Sequence, residues 1–202
     1  MSALPTPAEI QSAPSGPISA LAITLEVLFE HSPILINLLE PQLAAVLKSS
    51  PPIASYTELI NLALEEIEKW EVEEQSEFIS GHPRIGESKN LSTLSASEQG
   101  AQGLKPTPPE VLARLEHLNA CYERRYPGLR YITFVNGRSR AAIVEEMEDM
   151  LKFSHSLSDR EPTLESVTSV DVASEEWKKE LSRAVYDVGR IGKSRLGALG
   201  VH

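Results

Sequence analysis

His82, Glu98 and Arg195 are the side chains whose types could carry chemistry together. A histidine exchanges protons near neutral pH, a carboxylate accepts them or orients an imidazole, and a guanidinium clamps an anion with two parallel N–H donors. His82 and Glu98 fall within one segment, Gly81 to Gln102, which reads GHPRIGESKNLSTLSASEQGAQ. Each residue also has a plainer reading. His82 sits beside Pro83 at a helix break, where a histidine can serve a turn. Glu98 follows Ser95 by three residues, so the pair reads as a capping box with Ser95 as N-cap. A carboxylate there sits in the favourable field of a helix N-terminus, which suits a base better than an acid. Arg195 lies seven residues after Val188 and four after Ile191, on the apolar stripe of a helix. It reads either as a surface arginine snorkelling from the helix end or as a clamp reaching into a pocket.

The remaining motifs narrow the chemistry. The five histidines, 31, 82, 117, 155 and 202, show no ligand spacing with the lone Cys121 or with carboxylates. No Gly-rich phosphate loop and no Gly-x-Ser-x-Gly elbow occurs. The expectation is an acid–base site with no metal and no organic cofactor. Cys121 lies within a helical pattern and reads as a structural thiol.

Amphipathic helices must position these groups. Residues 1–17 are rich in Pro, Ser and Ala without periodicity and read as a disordered tail. A helix is expected from Ile18 to Glu30, and a short one from Pro33 to Leu39 after the Ser32-Pro33 start signal. Another begins at Pro41 and ends before Ser49-Ser50-Pro51-Pro52. Tyr56, Ile60, Ala63, Ile67 and Trp70 repeat at helical spacing, and this helix could continue to Ile79. Its acidic run, Glu65 to Glu74, reads as a solvated face. Pro83 disfavours helical geometry at His82 and places a break there. A short helix from Ser95 to about Leu104 precedes one opened by Pro109 and closed by Pro127-Gly128. Tyr131 to Val135 reads as a buried extended segment, since no partner strand is visible. Ser139 to Phe153 reads as a helix with Ile143, Met147, Met150 and Leu151 inward. Ser154 to Ser174 reads as a loop or mobile insertion, and a last helix carries Trp177, Leu181, Ala184, Val188 and Ile191. The expected fold is all-α: a single compact domain of about eight helices over residues 18–197, with a short tail at 198–202.

The chain has 202 residues, a hydrophobic fraction of 41% and a formal net charge of −10. That charge disfavours nucleic acid, and no apolar run reaches the roughly 18 to 20 residues that span a bilayer. The N-terminus lacks the basic and apolar regions of a secretory signal. Gly200-Val201-His202 is not a Ser-Lys-Leu address, and Ser194-Arg195-Leu196 is internal. The expected compartment is the cytoplasm, with the peroxisome as the alternative.

Five blocks in order resemble the 2-oxo-4-hydroxy-4-carboxy-5-ureidoimidazoline (OHCU) decarboxylase family. Phe29-Glu30-His31-Ser32-Pro33 resembles its Phe-Glu-x-Ser-Pro, and His82-Pro83-Arg84-Ile85-Gly86 its His-Pro block. Leu94 to Gly103 resembles its Leu-x-x-x-Ser-x-x-Glu-Gln block. Leu118-Asn119-x-x-Tyr122, with Ile132 and Val135-Asn136-Gly137, resembles its Leu-Asn-x-x-Tyr and Val-x-Gly region. Ile191 to Leu196 resembles its Ile-x-x-x-Arg-Leu. Where the family commonly has Gly-Phe-Pro-Phe, this chain has Pro127-Gly128-Leu129-Arg130-Tyr131. The resemblance implies an all-helical homodimer acting on a small ureide without cofactor. It aligns His82 and Glu98 with the catalytic pair and Arg195 with a substrate-binding arginine. Pro83 and Gln99 match pocket residues, and backbone groups of Ile132, Thr133, Phe134 and Val135 would bind the amides of the substrate. The implied reaction is decarboxylation to (S)-allantoin in urate degradation. The competing readings are a helical interaction protein without activity, and a lyase or hydrolase of another ureide.

Overall fold

The computed structural model describes residues 4–87, 92–98 and 107–201, without the side chains of Thr93, Ser97 and Glu98. Its helices are α1 (Pro7–Ser12), α2 (Ala20–Phe29), α3 (Glu40–Ser49), α4 (Tyr56–Ile67), α5 (Val72–Ser80), α6 (Thr93–Glu98), α7 (Pro109–Arg125), α8 (Arg140–Leu151) and α9 (Glu175–Leu199). A π-helical turn, Leu35–Leu39, leads into α3, and a 3₁₀ turn spans Leu164–Ser166. No strand occurs among the described residues, so the fold is all-α as expected. The chain forms two compact units, Met1–His82 with Val185–His202, and Pro83–Ala184.

The first unit departs from expectation at its beginning. Pro7–Ser12, read as part of an aperiodic tail, is helix α1. Thr6 and Glu9 form a reciprocal capping box, Pro7 fills the first turn, and Ile10 is buried. Gln11 ties this segment inward, donating to the Leu47 carbonyl at 2.9 Å and accepting from the Ile53 amide at 3.0 Å. The buried Glu40 accepts from Ser15 Oγ, the Gly16 amide and Ser19 Oγ at 2.7, 3.0 and 2.7 Å. Buried carboxylates persist where such donors replace water. Ser19 also caps α2 through the Ala22 amide.

Two helix boundaries differ as well. Pro33 to Ser49 is one continuous helical run rather than two helices. Pro41 has no N–H to offer and its ring crowds the preceding turn; the π-helical widening at Leu35–Leu39 lies one residue before it and relieves that crowding. Conversely, the helix expected to run from Tyr56 to Ile79 breaks between Ile67 and Val72, with Glu71 extended. The break turns the Trp70 indole to donate to Gln42 at 2.6 Å. It also sets Trp70 edge-on to Phe78, with ring centroids 6.2 Å apart. Leu25, Leu28, Leu39 and Ile60 fill the core of this unit. The C-terminal half of α9 reaches that core because Gly189 and Gly192 have no side chains. A Cβ on Gly189 would meet Leu64 Cδ1 at 2.5 Å, and one on Gly192 would meet Phe29 at 3.4 Å.

In the second unit α7 packs on α8. The buried Arg114 guanidinium pairs with Glu148 at 2.7 Å and donates to the Ser158 carbonyl at 2.7 Å. Residues 154–174, expected as a loop or mobile insertion, form a loop with one 3₁₀ turn, and these bonds fasten it. Ser156 N–H to Glu148 and Val170 N–H to the Arg125 carbonyl, at 3.0 and 2.7 Å, complete the attachment. Ser139 caps α8. Its inward side is Ile143, Val144, Met147 and Leu151, whereas Met150, expected inward, is half-buried. In α9, Trp177, Leu181, Ala184 and Val188 are buried as expected and Ile191 is half-buried. No helix among the described residues is long and apolar enough to cross a membrane.

Candidate functional site

α5 ends at Ser80 and delivers His82 to the interior of the first unit, where it is 6% exposed. Its amide donates to the Ile79 carbonyl at 3.1 Å, and its ring lies edge-on to Phe78 with centroids 4.9 Å apart. Nδ1 is 2.9 Å from the Phe78 carbonyl. A carbonyl can only accept, so Nδ1 carries the proton and Nε2 of the neutral ring is the basic nitrogen. The bond also satisfies a carbonyl that the end of α5 leaves without a helical partner. Burial drives the ring's pKa from 6.5 down to about 4. The Phe78 bond opposes that shift, the Arg195 charge adds to it, and the Glu30 charge opposes it. His82 is therefore a neutral base at physiological pH.

Arg195 lies in the same unit and is 3% exposed. This overturns the snorkelling reading: the guanidinium points inward to the end of α2. Nη1 donates to the Val27 and Leu28 carbonyls at 2.9 and 3.3 Å, and Nη2 to Glu30 Oε1 at 2.6 Å. These bonds cap the last turn of α2 with a cation, where the helix dipole favours one.

Glu30 is the residue that sequence reasoning left without a role. It stands at the C-cap of α2 with φ 67° and ψ 154°, a region that residues other than glycine rarely occupy, at a cost of order 1–3 kcal/mol. A carboxylate at a helix C-terminus is also in the wrong field. In the sequence the available signal was a carboxylate at the expected end of a helix. Ser32, two residues on, touches Gly81, where a Cβ would meet Ser32 Cβ at 2.9 Å. The first and second sequence blocks thus meet beside His82, and the fifth supplies Arg195.

The other candidates belong to the second unit. Pro83 is half-buried and follows the helix stop. Ile85 is buried, and its carbonyl accepts from the buried Asn119 at 2.9 Å, which joins the fourth block to the second. Glu98 is the last residue of α6. Ser92, rather than the expected Ser95, stands at the N-terminus of this helix and caps it. Ser92 Oγ accepts from the Ser95 amide at 3.1 Å and its carbonyl accepts from Ala96 at 2.9 Å, while Ser95 is buried inside the helix. The Glu98 side chain, Gln99 and the expected continuation to Leu104 lie outside the described residues.

Tyr131 to Val135 belongs to no helix or strand and is mostly buried. Arg183 of α9 donates to the Ile132 carbonyl at 2.7 Å, and Arg138 to the Phe134 and Val135 carbonyls at 2.6 and 3.0 Å. Thr133 donates to Glu146 at 2.8 Å and Tyr131 at 2.5 Å, and burial pushes the Tyr131 phenol pKa up to about 12. Burial opposes the Arg183 charge, but the Glu180 carboxylate outweighs it and holds the pKa above its ordinary value. This polar frame leaves the segment little freedom. Cys121 is buried and in no disulfide, and burial raises its pKa, as fits a structural thiol. Among the described residues no group of three His, Cys, Asp or Glu could hold a metal ion.

The OHCU decarboxylase sequence profile matches residues 17–168, about three quarters of the chain. The chain belongs to the OHCU decarboxylase family. That family is named for a carboxy-lyase reaction. Two similar proteins are both named 2-oxo-4-hydroxy-4-carboxy-5-ureidoimidazoline decarboxylase. The one from Halalkalicoccus jeotgali is 28% identical over 108 residues, 54% of this chain and 61% of the relative. The one from Haloferax volcanii is 26% identical over 129 residues, 64% of this chain and 71% of the relative. The chain thus spans about three fifths of the first relative's length. The OHCU decarboxylase profile ends before α9, so Arg195 lies outside it.

Proposed function

We propose that this protein decarboxylates 2-oxo-4-hydroxy-4-carboxy-5-ureidoimidazoline to (S)-allantoin, with no metal or organic cofactor, as a step of urate degradation. The observation that carries the reading is His82: a buried neutral imidazole with its Nδ1 proton committed to Phe78 and its Nε2 basic, in the same unit as Arg195. The substrate has a carboxylate and a hydroxyl on one carbon, next to a carbon–nitrogen double bond. Breaking the bond to CO2 sends its electron pair toward that double bond. The hydroxyl proton leaves as the carbonyl forms, a proton is added at the carbon bearing the ureido group, and one more proton from solvent goes to the ring nitrogen that took up the electron pair. His82 polarises or deprotonates the hydroxyl, Glu98 holds the imidazole or relays the proton, and Arg195 orients the anionic end. Each contributes on the order of 10²- to 10⁴-fold. Pro83, Gln99 and the backbone of Ile132 to Val135 line the substrate, and delivery of the proton from one face makes a single enantiomer. The acting form is a homodimer in the cytoplasm.

The test generates the unstable substrate in situ and follows the optical activity of the allantoin formed. An excess of one enantiomer is expected with the wild-type protein, and its absence rejects the reading. A His82→Asn variant with undiminished excess and rate rejects the role of His82 while leaving the reaction in place.

A further inference from the structure

We propose that Glu30 is a positioning residue of this site, its carboxylate fixing the Arg195 guanidinium next to His82. The proposal rests on the decarboxylase reading and adds a residue to it. Three independent observations converge on Glu30. Its carboxylate accepts from Arg195 Nη2 at 2.6 Å, and the ion pair is buried, with side chains 14% and 3% exposed. Its backbone is held at φ 67°, where only surrounding structure can keep a glutamate. The turn it opens passes so close to the residue before His82 that a Cβ at Gly81 would meet Ser32 at 2.9 Å. A structural cap alone does not need this residue, because Arg195 already donates to the Val27 and Leu28 carbonyls.

The charge balance gives the arrangement a purpose. Arg195 from α9 and Glu30 from the end of α2 are among the charged groups that act on His82. When His82 takes the hydroxyl proton it becomes a cation beside another cation. Glu30 supplies the opposing charge at that moment, and it holds the guanidinium in one orientation for the substrate carboxylate. Loss of its charge therefore acts on the step more than on binding. The imidazolium loses a stabilising neighbour, while Arg195 becomes more attractive to an anionic substrate.

Glu30→Gln keeps size and the acceptor oxygen but removes the charge. The expected result is a kcat lower by roughly tenfold, the equivalent of one pKa unit of interaction with His82. KM should stay level or fall, and the His82 ring, followed by NMR, should titrate at lower pH than in wild type. Glu30→Asp keeps the charge one methylene farther back. It should leave the His82 titration near that of wild type and still lower kcat. A higher KM with unchanged kcat in Glu30→Gln overturns the proposal, as does an unchanged His82 titration, or a wild-type kcat in Glu30→Asp. If the wild-type protein gives no enantiomeric excess, the decarboxylase reading fails on its own. The His82 titration in the two Glu30 variants then still decides whether Glu30 acts on His82.

Discussion

Replacing His82 by Asn separates the two nitrogens of the imidazole. The Asn side-chain amide can still donate to the Phe78 carbonyl in place of Nδ1, so the end of α5 stays capped. What disappears is a buried group whose charged form the fold resists. In the unfolded chain the histidine titrates near 6.5, and in the folded protein near 4. The folded pKa is the lower one, so the unfolded state binds the proton first as pH falls. Stability is then whole above about pH 7, declines through the window between the two values, and levels off below the folded one. Between about pH 7.5 and about pH 4.5 this single group costs the wild type roughly 2.5 kcal/mol that the Asn variant does not lose. Carboxylates elsewhere also titrate in that range, but they do so in both proteins and cancel in the difference. Urea unfolding of the pair at the two pH values measures it. A gap that stays constant within about 0.5 kcal/mol would show that the ring is not desolvated. It would also remove the ground for treating His82 as a neutral base at pH 7.

Gly81→Ala places a methyl 2.9 Å from Ser32 Cβ and 3.3 Å from the Phe78 carbonyl. It should cost about 1–3 kcal/mol in thermal unfolding and lower activity by moving the His82 turn. An unchanged melting temperature would contradict the close contact. Arg114→Met leaves Glu148 buried beside an apolar chain and releases the Ser158 carbonyl, for a loss of about 3–5 kcal/mol. Proteolysis should then cut within 154–174 first, and Arg114→Met/Glu148→Leu should recover much of the lost stability. Equal cleavage patterns in wild type and Arg114→Met would mean that the guanidinium does not fasten the loop.

The helical class and most helix positions were legible because apolar stripes repeat at 3.6 residues, and caps such as Ser19 and Ser139 stand where they form. The misreadings have local causes. Ile67 and Phe78 are eleven residues apart, close to three helical turns, so the stripe keeps its phase across the α4–α5 break and conceals it. α1 was announced by Thr6-Pro7-Ala8-Glu9, a capping-box spacing set in a Pro-, Ser- and Ala-rich stretch whose composition argued for disorder. At Glu98 the opposite occurred. Ser95 and Glu98 have the right spacing, but Ser92 starts the helix three residues earlier, and Ser95 is buried inside it. The fastening of 154–174 depends on Arg114, forty-four residues before the carbonyl it binds, and local pattern carries no sign of such a bond.

The site residues were legible only in part, for a physical reason. His82 and Arg195 declare their chemistry by type, but burial decides their protonation and direction, and burial is a property of the folded unit. Glu30 shows the limit most clearly. Nothing in its neighbours' hydrophobic pattern asks for a carboxylate, and both its backbone angle and the dipole of α2 oppose one. A residue that local energetics disfavour twice is retained in the fold by what lies across from it, here the guanidinium 165 positions away. Where a local rule is broken and a distant charge repairs it, the repair points to the residues that the site needs held in place.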